Sequence, residues 1–311
     1  MPTVAWPFKR DFDLKTAHIA LRWMREHKPD AVLVTTAREI RSVGIAAKRL
    51  GIPVVWRMGP KPKNNLVHRL TGALIKHVIA PSEMVKSELQ PFSWLRDKIT
   101  VIPNGITITP TPTADQIQAA RAMLGISNDT VFCLYVGRLM TGKGIDTLID
   151  AFAEVRKSRP QAVLRVVGIG PSEKLAQGRV AAYNLHDAVV FCGYTSDPSH
   201  YFAACDIFVL PSRYESFSYV LLEAMLNAKP CVTTRAGAIP EVVGEDAAVL
   251  VPPSSPTKFA EAIVKLIDEP ERRIEMGRMG RQRVIENFDL HRTADAVETL
   301  FLKACEGDRG D

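Results

Sequence analysis

The sequence predicts an α/β protein of two doubly wound domains, each a parallel β-sheet with helices on both faces. Two observations predict this class. Apolar, strand-like runs alternate with amphipathic, helix-like stretches along almost the whole chain, and one Pro- and Thr-rich stretch interrupts the alternation at 104–115. Alternation of this kind implies parallel sheets covered by helices, and a length of 311 residues suits two domains.

The composition is that of a soluble globular protein, with 46% apolar and 24% charged residues. The longest apolar runs are too short to cross a bilayer, and the N-terminus lacks the pattern of a signal peptide. None of the five cysteines forms a CxxC pair, so we interpret them as core residues in a reducing compartment. We therefore predict a cytoplasmic protein without a metal site.

The elements of the first half follow from this alternation. The amphipathic stretch LKTAHIALRWMREH predicts the first helix, and short apolar runs such as HVIA and ITVI predict strands. In chain order we predict a helix at 14–27, a strand at 31–36, a helix at 39–50, a strand at 53–56, a helix at 65–76, a strand at 77–80, a short helix from Ser82 and a strand at 99–102.

The stretch NGITITPTPTAD at 104–115 has two prolines and repeated threonines, which is typical of an extended linker. We place the domain boundary there, with a first domain at 1–108, a linker and connecting helix at 109–128, a second domain at 129–286, and a C-terminal helix and tail at 287–311. The second half then predicts a helix at 115–124, strands at 131–137, 162–168, 188–193, 206–211 and 230–234, and helices from about 256 to Cys305.

Ligands of doubly wound sheets bind outside the carboxyl ends of the strands, and two such domains leave a cleft between them. We therefore expect the site in that cleft, built from the residues that follow each strand.

The stretch GRLMTGKGIDTLIDAF at 137–152 follows a strand and opens a helix. Its glycines, Gly137 among them, let the backbone approach a ligand. Arg138 and Lys143 place two positive charges beyond the strand end, and a diphosphate leaving group needs such a pair because its charge grows as the bond breaks. The spacing is not that of a Walker loop. The alternative is a solvated loop with chance charges.

The stretch RYESFSYVLLEAMLNAKP at 213–230 carries two carboxylates, Glu215 and Glu223, eight residues apart. If a helix starts near Ser216, these carboxylates lie about two turns apart and can serve one elongated ligand. The free N–H groups of 216–219 would offer an anion site. Glu223 stands in an apolar run, where its charge needs a hydrogen-bond partner, and ribose hydroxyls are suitable donors.

Two further strands end in glycine, in LRVVGIGP at 164–171 and VVFCGYTSD at 189–197. Backbone at these ends can approach a base or a phosphate, although glycine after a strand is commonplace.

With these motifs in order, the chain resembles glycosyltransferase family 4, a group of retaining transferases with the GT-B fold of two Rossmann-like domains facing across a cleft. The resemblance covers roughly 28–290 and is strongest over 131–243. The pair Glu215 and Glu223 is similar to the paired-glutamate motif of that family. The segments HVIAPSE at 77–83 and KITVIPNGI at 98–106 are also typical of it.

The resemblance implies catalytic roles for Arg138, Lys143 and Glu215. Arg138 and Lys143 would hold the donor diphosphate and stabilise it as it leaves, and Glu215 would contact the transferred sugar. Retention is thought to avoid a protein nucleophile in this family, because the acceptor hydroxyl attacks on the face that the phosphate leaves. No metal or other cofactor is implied; the donor, a UDP- or GDP-hexose, is a substrate.

The resemblance also implies residues that bind the donor. Glu223 would hold the ribose hydroxyls, and the strand end at Gly193 and Tyr194 would lie beside the base. Main-chain N–H groups would contact phosphate at Phe217, Ser218 and Tyr219.

The chain departs from the family in three places. Its opening, MPTVAWPFKRDFDL, resembles a segment beyond the first strand and glycine-rich loop of the family, so we expect both to be missing. Arg57 stands where many members have a histidine, in a region that resembles enzymes of lipopolysaccharide and envelope sugars. Arg57 would meet an anionic acceptor or the donor phosphate, or is a plain surface arginine. Ser216 and Ser218 replace the motif glycines, and serine still offers its N–H.

Charge is distributed unevenly along the chain. Residues 1–110 hold 18 Lys and Arg against 8 Asp and Glu, whereas the remainder holds 22 against 26. A basic first domain suits a membrane surface or an anionic glycolipid, or is only a solvated surface. Base-stacking aromatics are not interleaved with the basic residues, so we expect no nucleic-acid partner.

We therefore predict a retaining hexosyltransferase that uses a nucleotide sugar and a glycan or glycolipid acceptor, such as lipopolysaccharide or envelope polysaccharide. It would work in the cytoplasm, at the inner face of the plasma membrane. Two alternatives stay open: a fragment that binds a nucleotide sugar without turnover, and a nucleotide-sugar epimerase.

Overall fold

A computed structural model describes residues 13–58 and 66–306, which form two compact α/β units. The first unit takes in the described residues up to Pro103 and those from His291 onward, and the second is Asn104–Leu290. The opening segment behind the prediction of a missing strand and glycine-rich loop lies almost wholly outside the described residues. In the described ranges, no helix has the length and apolarity that crossing a bilayer requires.

Both units alternate strands and helices. The elements of the first unit are α1 (Leu14–His27), β1 (Val32–Val34), α2 (Ala37–Arg49), β2 (Val54–Arg57), α3 (Leu66–Gly72), β3 (His77–Ala80), α4 (Glu83–Leu89) and β4 (Ile99–Val101). The second unit contains α5 (Ala114–Met123), β5 (Val131–Val136), α6 (Ile145–Ser158), β6 (Ala162–Val167), α7 (Glu173–Ala182), β7 (Val189–Gly193), α8 (Ser199–Ala204), β8 (Ile207–Leu210), α9 (Tyr219–Leu226), β9 (Cys231–Thr234), α10 (Ile239–Val243), β10 (Ala248–Val251), α11 (Pro256–Asp268) and α12 (Pro270–Asn287). The last helix, α13 (Leu290–Glu306), lies largely in the first unit.

Side-chain caps fix where the helices of the first unit begin. Asp13 accepts a hydrogen bond from the N–H of Thr16 at the start of α1. Thr36 and Glu39 form a reciprocal capping box at α2. Ser82 caps α4, which confirms the short helix predicted from that residue. Such caps satisfy N–H groups that have no partner inside the helix.

The first sheet is parallel, in the order β1-β2-β3-β4, and is covered on both faces. On one face Val54, Trp56 and Val78 belong to a large apolar cluster with α1, α2 and α4. On the other face Val55 and Ile79, together with Ile102 just beyond β4, pack against α13 through Leu300 and Ala304. The C-terminal helix, predicted as part of a separate tail, therefore completes the core of the first unit.

The first unit ends at Pro103 and resumes at His291, whereas the sequence predicted a first domain that ends at 108 and a separate helix and tail at 287–311. The backbone explains the difference. The N–H of Ile106 donates to the Phe288 carbonyl (2.8 Å), and the N–H of Leu290 donates to the Ile106 carbonyl (3.1 Å). Residues just after Pro103 are thereby fixed to the second unit.

The helix predicted as a connecting element, α5, is part of the second unit. The guanidinium of Arg121 is buried and donates to the carbonyls of Ser127 (2.7 Å), Thr130 (2.7 Å) and Ala204 (3.0 Å). It also pairs with Asp206 (3.1 Å). These bonds attach α5 to the residues that precede β5 and β8.

The second sheet has six parallel strands in the order β10-β9-β8-β5-β6-β7. The order reverses between β5 and β8, which pair directly, and this reversal is the topological switch point of the sheet. The strand β10 was not predicted from the sequence, although two of its four residues are buried.

Candidate active site

Lys143 and Glu215 meet at the switch point of the second sheet. Lys143 follows β5 and Glu215 follows β8, and these two strands are neighbours. The Nζ of Lys143 lies 2.6 Å from Oε1 of Glu215. Ligands of open α/β sheets bind in the crevice at this point, so a paired cation and carboxylate stand where a ligand is expected.

The carboxylate of Glu215 is held from several sides and is only 5% exposed. The Oγ of Ser212 donates to the same Oε1 (2.7 Å), and the main-chain carbonyl of Glu215 accepts from the N–H of Ala238 (2.8 Å). Burial and the charge of Glu215 raise the pKa of the Tyr135 hydroxyl, so it stays protonated. Glu215 is therefore an anchored hydrogen-bond acceptor.

Glycine is required where the loops of this site touch. A Cβ on Gly144, whose φ is +70°, would lie 2.1 Å from the Pro211 carbonyl oxygen. A Cβ on Gly237, at φ +58°, would lie 2.1 Å from the Glu215 carbonyl oxygen. These positions bring the loop after β5 and the loop after β9 against the loop after β8.

The strand ends beside Arg138 continue to pair beyond the sheet. The N–H of Gly137 donates to the Val167 carbonyl (3.0 Å), and the N–H of Gly168 donates to the Gly193 carbonyl (2.7 Å). Gly168 adopts φ +134°, and a Cβ there would overlap the Gly137 carbonyl. The loops after β5, β6 and β7 thus form one continuous rim.

A cavity of about 420 Å³ opens on this rim. It is lined by Val136, Gly137, Arg138, Val167, Gly168, Ile169, Tyr194 and Thr195. The wall is mainly apolar, and Tyr194 and Arg138 are exposed beside it. An apolar wall with one ring and one guanidinium suits a planar group that carries charge at one end.

The helix that carries Glu223 begins later than predicted. We expected its start near Ser216, but α9 begins at Tyr219, and Ser218 is extended (φ −128°, ψ 100°). The ring of Phe217 packs against Phe288, with 5.9 Å between ring centroids, so the residues before Ser218 serve packing rather than a first turn. The N–H groups left without helical partners are those of the turn from Tyr219 onward.

Glu215 therefore lies outside α9, and the predicted two-turn helical relationship with Glu223 is wrong. Glu223 is the fifth residue of this helix. Burial raises the pKa of its carboxyl group. Across the described ranges, that carboxyl makes no hydrogen bond or ion pair, so it is open to a donor from a ligand.

Ser218 is a second polar group without a partner at this helix. It is 3% exposed, and its Oγ neither caps α9 nor bonds to any other described residue. A buried hydroxyl without a partner costs stability, so Ser218 is a candidate contact for a ligand.

The structure groups most of the predicted site residues at the carboxyl edge of the second sheet. Lys143 and Glu215 are in contact. Phe217 and Ser218 come just before α9, Tyr219 begins that helix, and Glu223 lies within it. Gly137, Arg138 and Tyr194 line the cavity, and Gly193 is bonded to its rim. Arg57 is not among them, because it ends β2 in the first unit. Its predicted role stays a prediction.

Ser212, Arg213 and Gly237 were not singled out from the sequence, although all three touch the Lys143–Glu215 pair or the loops that hold it. Arg213 gave a usable signal, since it is a charged residue directly behind a buried strand. In the part of the chain that the structure describes, no group of three His, Cys, Asp or Glu side chains is arranged to hold a metal ion.

Two family models match the chain in succession. The model for "Glycosyl transferases group 1" matches residues 116–283, and the model for "Glycosyltransferase Family 4" matches residues 2–109. The first match alone covers more than half of the chain and contains the Lys143–Glu215 pair and Glu223.

Curated relatives align over most of the chain. It is 28% identical to the D-inositol 3-phosphate glycosyltransferase of Kineococcus radiotolerans, over 96% of this chain and 73% of that protein. It is 29% identical to a GDP-mannose-dependent monoacylated alpha-(1-6)-phosphatidylinositol monomannoside mannosyltransferase of Corynebacterium glutamicum, over 84% of this chain and 71% of that protein.

Solved structures share the fold. The Anabaena protein HepE, in complex with UDP and glucose, superposes with a TM-score of 0.80 at 24% identity, over 92% of this chain and 80% of that one. A glycosyltransferase from Rickettsia africae superposes with a TM-score of 0.81 at 18% identity, over 98% of this chain and 84% of that one. The predicted GT-B fold, with two parallel-sheet α/β domains, is confirmed.

Proposed function

This chain belongs to the group 1 glycosyltransferases, and from that premise we propose that it moves a hexose from a nucleotide diphosphate sugar to a glycan or glycolipid, with retention of configuration. The observation that carries this proposal is the contact between Lys143 and Glu215 at the switch point of the second sheet. A cation for phosphate and an anchored carboxylate for sugar hydroxyls stand there side by side.

The donor we propose is a UDP- or GDP-hexose. The apolar cavity beside Tyr194 has room for a nucleobase, and Glu223 offers an acceptor for ribose hydroxyls. HepE was solved with UDP and glucose, and the Corynebacterium relative is named as GDP-mannose-dependent, so both bases occur among similar proteins. No cofactor is part of the proposal.

In the proposed reaction, Lys143 and Arg138 stabilise the diphosphate as it leaves. An ammonium group has three protons to donate, and Glu215 takes one, so the others are available to phosphate oxygens. Arg138 is exposed on the cavity rim, in the same loop after β5 as Lys143. Charges placed before the reaction lower its barrier because they need no reorganisation as charge develops.

Retention is proposed without a nucleophile from the protein. Lys143 and Ser212 both donate to Oε1 of Glu215, and a carboxylate held in this way is a poor nucleophile. The acceptor hydroxyl would attack on the face that the diphosphate leaves, and a phosphate oxygen of the donor would take its proton. NMR of the product anomer during the first turnovers tests this stereochemistry.

We propose an anionic glycolipid acceptor, of the lipopolysaccharide or envelope class, and peripheral contact with the inner face of the plasma membrane. The basic first 110 residues support this contact. Within the first unit, Lys48, Lys76 and Lys98 line a cavity of about 590 Å³ whose lining includes no acidic residue. Burial and the nearby charge of Lys48 lower the pKa of Lys98, as expected in a positive field.

Sedimentation with vesicles tests the membrane contact. The protein should sediment with vesicles of anionic phospholipid and stay in solution with neutral ones, and Lys48→Glu should weaken the association several-fold. Equal binding to both kinds of vesicle would contradict the proposed contact.

A panel of UDP- and GDP-sugars, assayed by nucleotide release, tests the transfer itself. Release should be lost in Lys143→Ala and in Glu223→Ala. The exposed residues Lys157 and Glu261 of the same unit provide matched controls, whose alanine variants should keep the wild-type rate. Wild-type rates in the two site variants would refute the assignment, and nucleotide binding without turnover on any acceptor would favour the non-catalytic alternative.

A further inference from the structure

Arg213 ties together the loops that carry Lys143 and Glu215. It stands in the loop after β8, two residues before Glu215. Its main-chain N–H donates to the Gly142 carbonyl (2.9 Å), and its Nη1 donates to the Thr141 carbonyl (2.5 Å). Both carbonyls belong to the short turn that ends at Lys143. The side chain and the backbone of Arg213 therefore both bind that turn.

The rest of the guanidinium is attached to two further segments. Nη2 donates to Oδ2 of Asp146 (2.7 Å) and to Oγ1 of Thr147 (3.3 Å), in the first turn of α6. Nε donates to Oγ of Ser254, beyond β10 (3.0 Å). Four of the five N–H groups of the guanidinium thus bond to the protein itself. A guanidinium used in this way positions other groups and does not bind substrate.

Charge reinforces this attachment. Burial alone would raise the pKa of Asp146, but the hydrogen bond and charge of Arg213 outweigh it, and the net pKa lies below its ordinary value. The two side chains are 18% and 28% exposed, so the pair is only partly screened by water. The Asp146 carboxyl therefore stays ionised across the physiological range.

We infer that Arg213 is a positioning residue that sets the place of the Lys143 ammonium beside Glu215, and that the transferase step depends on it. This inference rests on the proposed function. Displacement of a catalytic group by about 1 Å can cost about 100-fold in rate. Lysine in place of Arg213 keeps the charge but cannot reach three segments at once, because a planar fork is replaced by a single ammonium.

A double-mutant cycle of Arg213→Lys with Lys143→Ala tests the inference. Arg213→Lys alone should lower kcat about 10- to 100-fold, with little change in the KM for the donor. In the Lys143→Ala background it should change the residual rate, measured at high enzyme concentration, by less than about threefold, because the group it positions is already absent. Asp146→Asn, which keeps the shape of the side chain, should act in the same direction and guards against a folding artefact.

Arg159→Lys is the matched control. Arg159 forms a two-pronged pair with Asp268 in the same unit, and its side chain is 31% exposed, close to the value for Arg213. It touches neither loop of the site, so kcat of this variant should stay within about twofold of the wild type.

Calorimetry with UDP and UMP provides a readout that needs no turnover. The wild type should prefer UDP over UMP, and Arg213→Lys should reduce that preference only where Lys143 is present. A wild-type kcat in Arg213→Lys, or an equal loss in both backgrounds, would overturn the inference and leave the proposed function standing. No nucleotide binding and no turnover in the wild type would overturn the proposed function itself.

Discussion

The Nζ of Lys143 lies 2.6 Å from Oε1 of Glu215, although the two residues are 72 positions apart in the chain. Their strands are adjacent only because the strand order of the second sheet reverses between β5 and β8. The fold thereby brings a cation from one loop and a carboxylate from another into a single ion pair at the point where such sheets bind ligands.

Removal of Lys143 should destabilise the protein, because the buried carboxylate of Glu215 then lacks its cation. We expect Lys143→Met to lower the free energy of unfolding by about 1–3 kcal/mol, less than for a fully buried pair because Lys143 is partly exposed. Urea denaturation measures this change. Adding Glu215→Gln should recover most of the loss without restoring activity, whereas simple addition of the two losses would show that the pair is not coupled.

Glu223→Gln should stabilise the protein and weaken nucleotide binding. A carboxyl with a raised folded-state pKa binds protons more tightly when folded, so its burial costs stability once the pH exceeds its unfolded pKa. At neutral pH, removal of that charge should add roughly 1 kcal/mol, or about 2–4 °C in Tm. Calorimetry and thermal denaturation at pH 7 check both effects. A lower Tm in this variant would mean that an internal partner stabilises the charge.

Donor binding should weaken as the pH falls through the raised pKa of Glu223. Ribose hydroxyls bond to the ionised carboxylate, so protonation removes their acceptor, and affinity should fall by up to about tenfold per pH unit below that pKa. Titration with a sugar-bearing UDP or GDP, whose phosphates do not titrate in this range, isolates the effect. Glu223→Gln should bind with little pH dependence; the wild-type profile in that variant would assign the titration to another group.

Ser218→Ala should leave stability unchanged or raise it by up to about 1 kcal/mol, because the hydroxyl it removes is buried without a hydrogen-bond partner. Nucleotide affinity should fall several-fold if that hydroxyl donates to the donor phosphate. Parallel denaturation and calorimetry separate the two effects. A clear loss of stability would reveal a partner for Ser218 inside the protein.

Gly237→Ala should be far more costly than Gly125→Ala. Both glycines have positive φ, but a Cβ on Gly237 would meet the Glu215 carbonyl oxygen at 2.1 Å, whereas a Cβ on Gly125 would meet nothing within 4 Å. We expect a loss of about 1–2 kcal/mol from strain alone at Gly125 and at least about 2 kcal/mol more at Gly237. Equal losses in urea denaturation would show that the contact at Glu215 is unimportant.

The local pattern of apolar and polar residues predicted most helices and strands, but not which of them pack against each other. The helix at 14–27 and the strand at 77–80 match α1 and β3 residue for residue. The return of α13 to the first unit was not predictable, because an amphipathic helix reveals that it has an apolar face and not which sheet covers it. The short strand β10 was not predicted, although β3, which has the same length, was.

The positions of candidate site residues were predictable where charged residues stand in a short, distinctive stretch. Lys143 and Glu215 were singled out because they follow strands, and Glu223 because it stands in an apolar run; their roles stay predictions. The start of α9 was misplaced because Ser216 and Ser218 are both good N-cap residues, and the packing of Phe217, a tertiary contact, decides between them. The place of Arg213 behind β8 was a usable signal, but its contacts join loops far apart in sequence and are visible only in the fold.

A crystal structure with UDP or GDP bound tests most directly whether Lys143, Glu215 and Glu223 serve one nucleotide sugar. We predict a diphosphate oxygen within hydrogen-bond distance of the Lys143 ammonium and a ribose hydroxyl bonded to the Glu223 carboxylate, with the base in the cavity beside Tyr194. A nucleotide bound elsewhere, or one that leaves Lys143 and Glu223 without contact, would contradict the assignment.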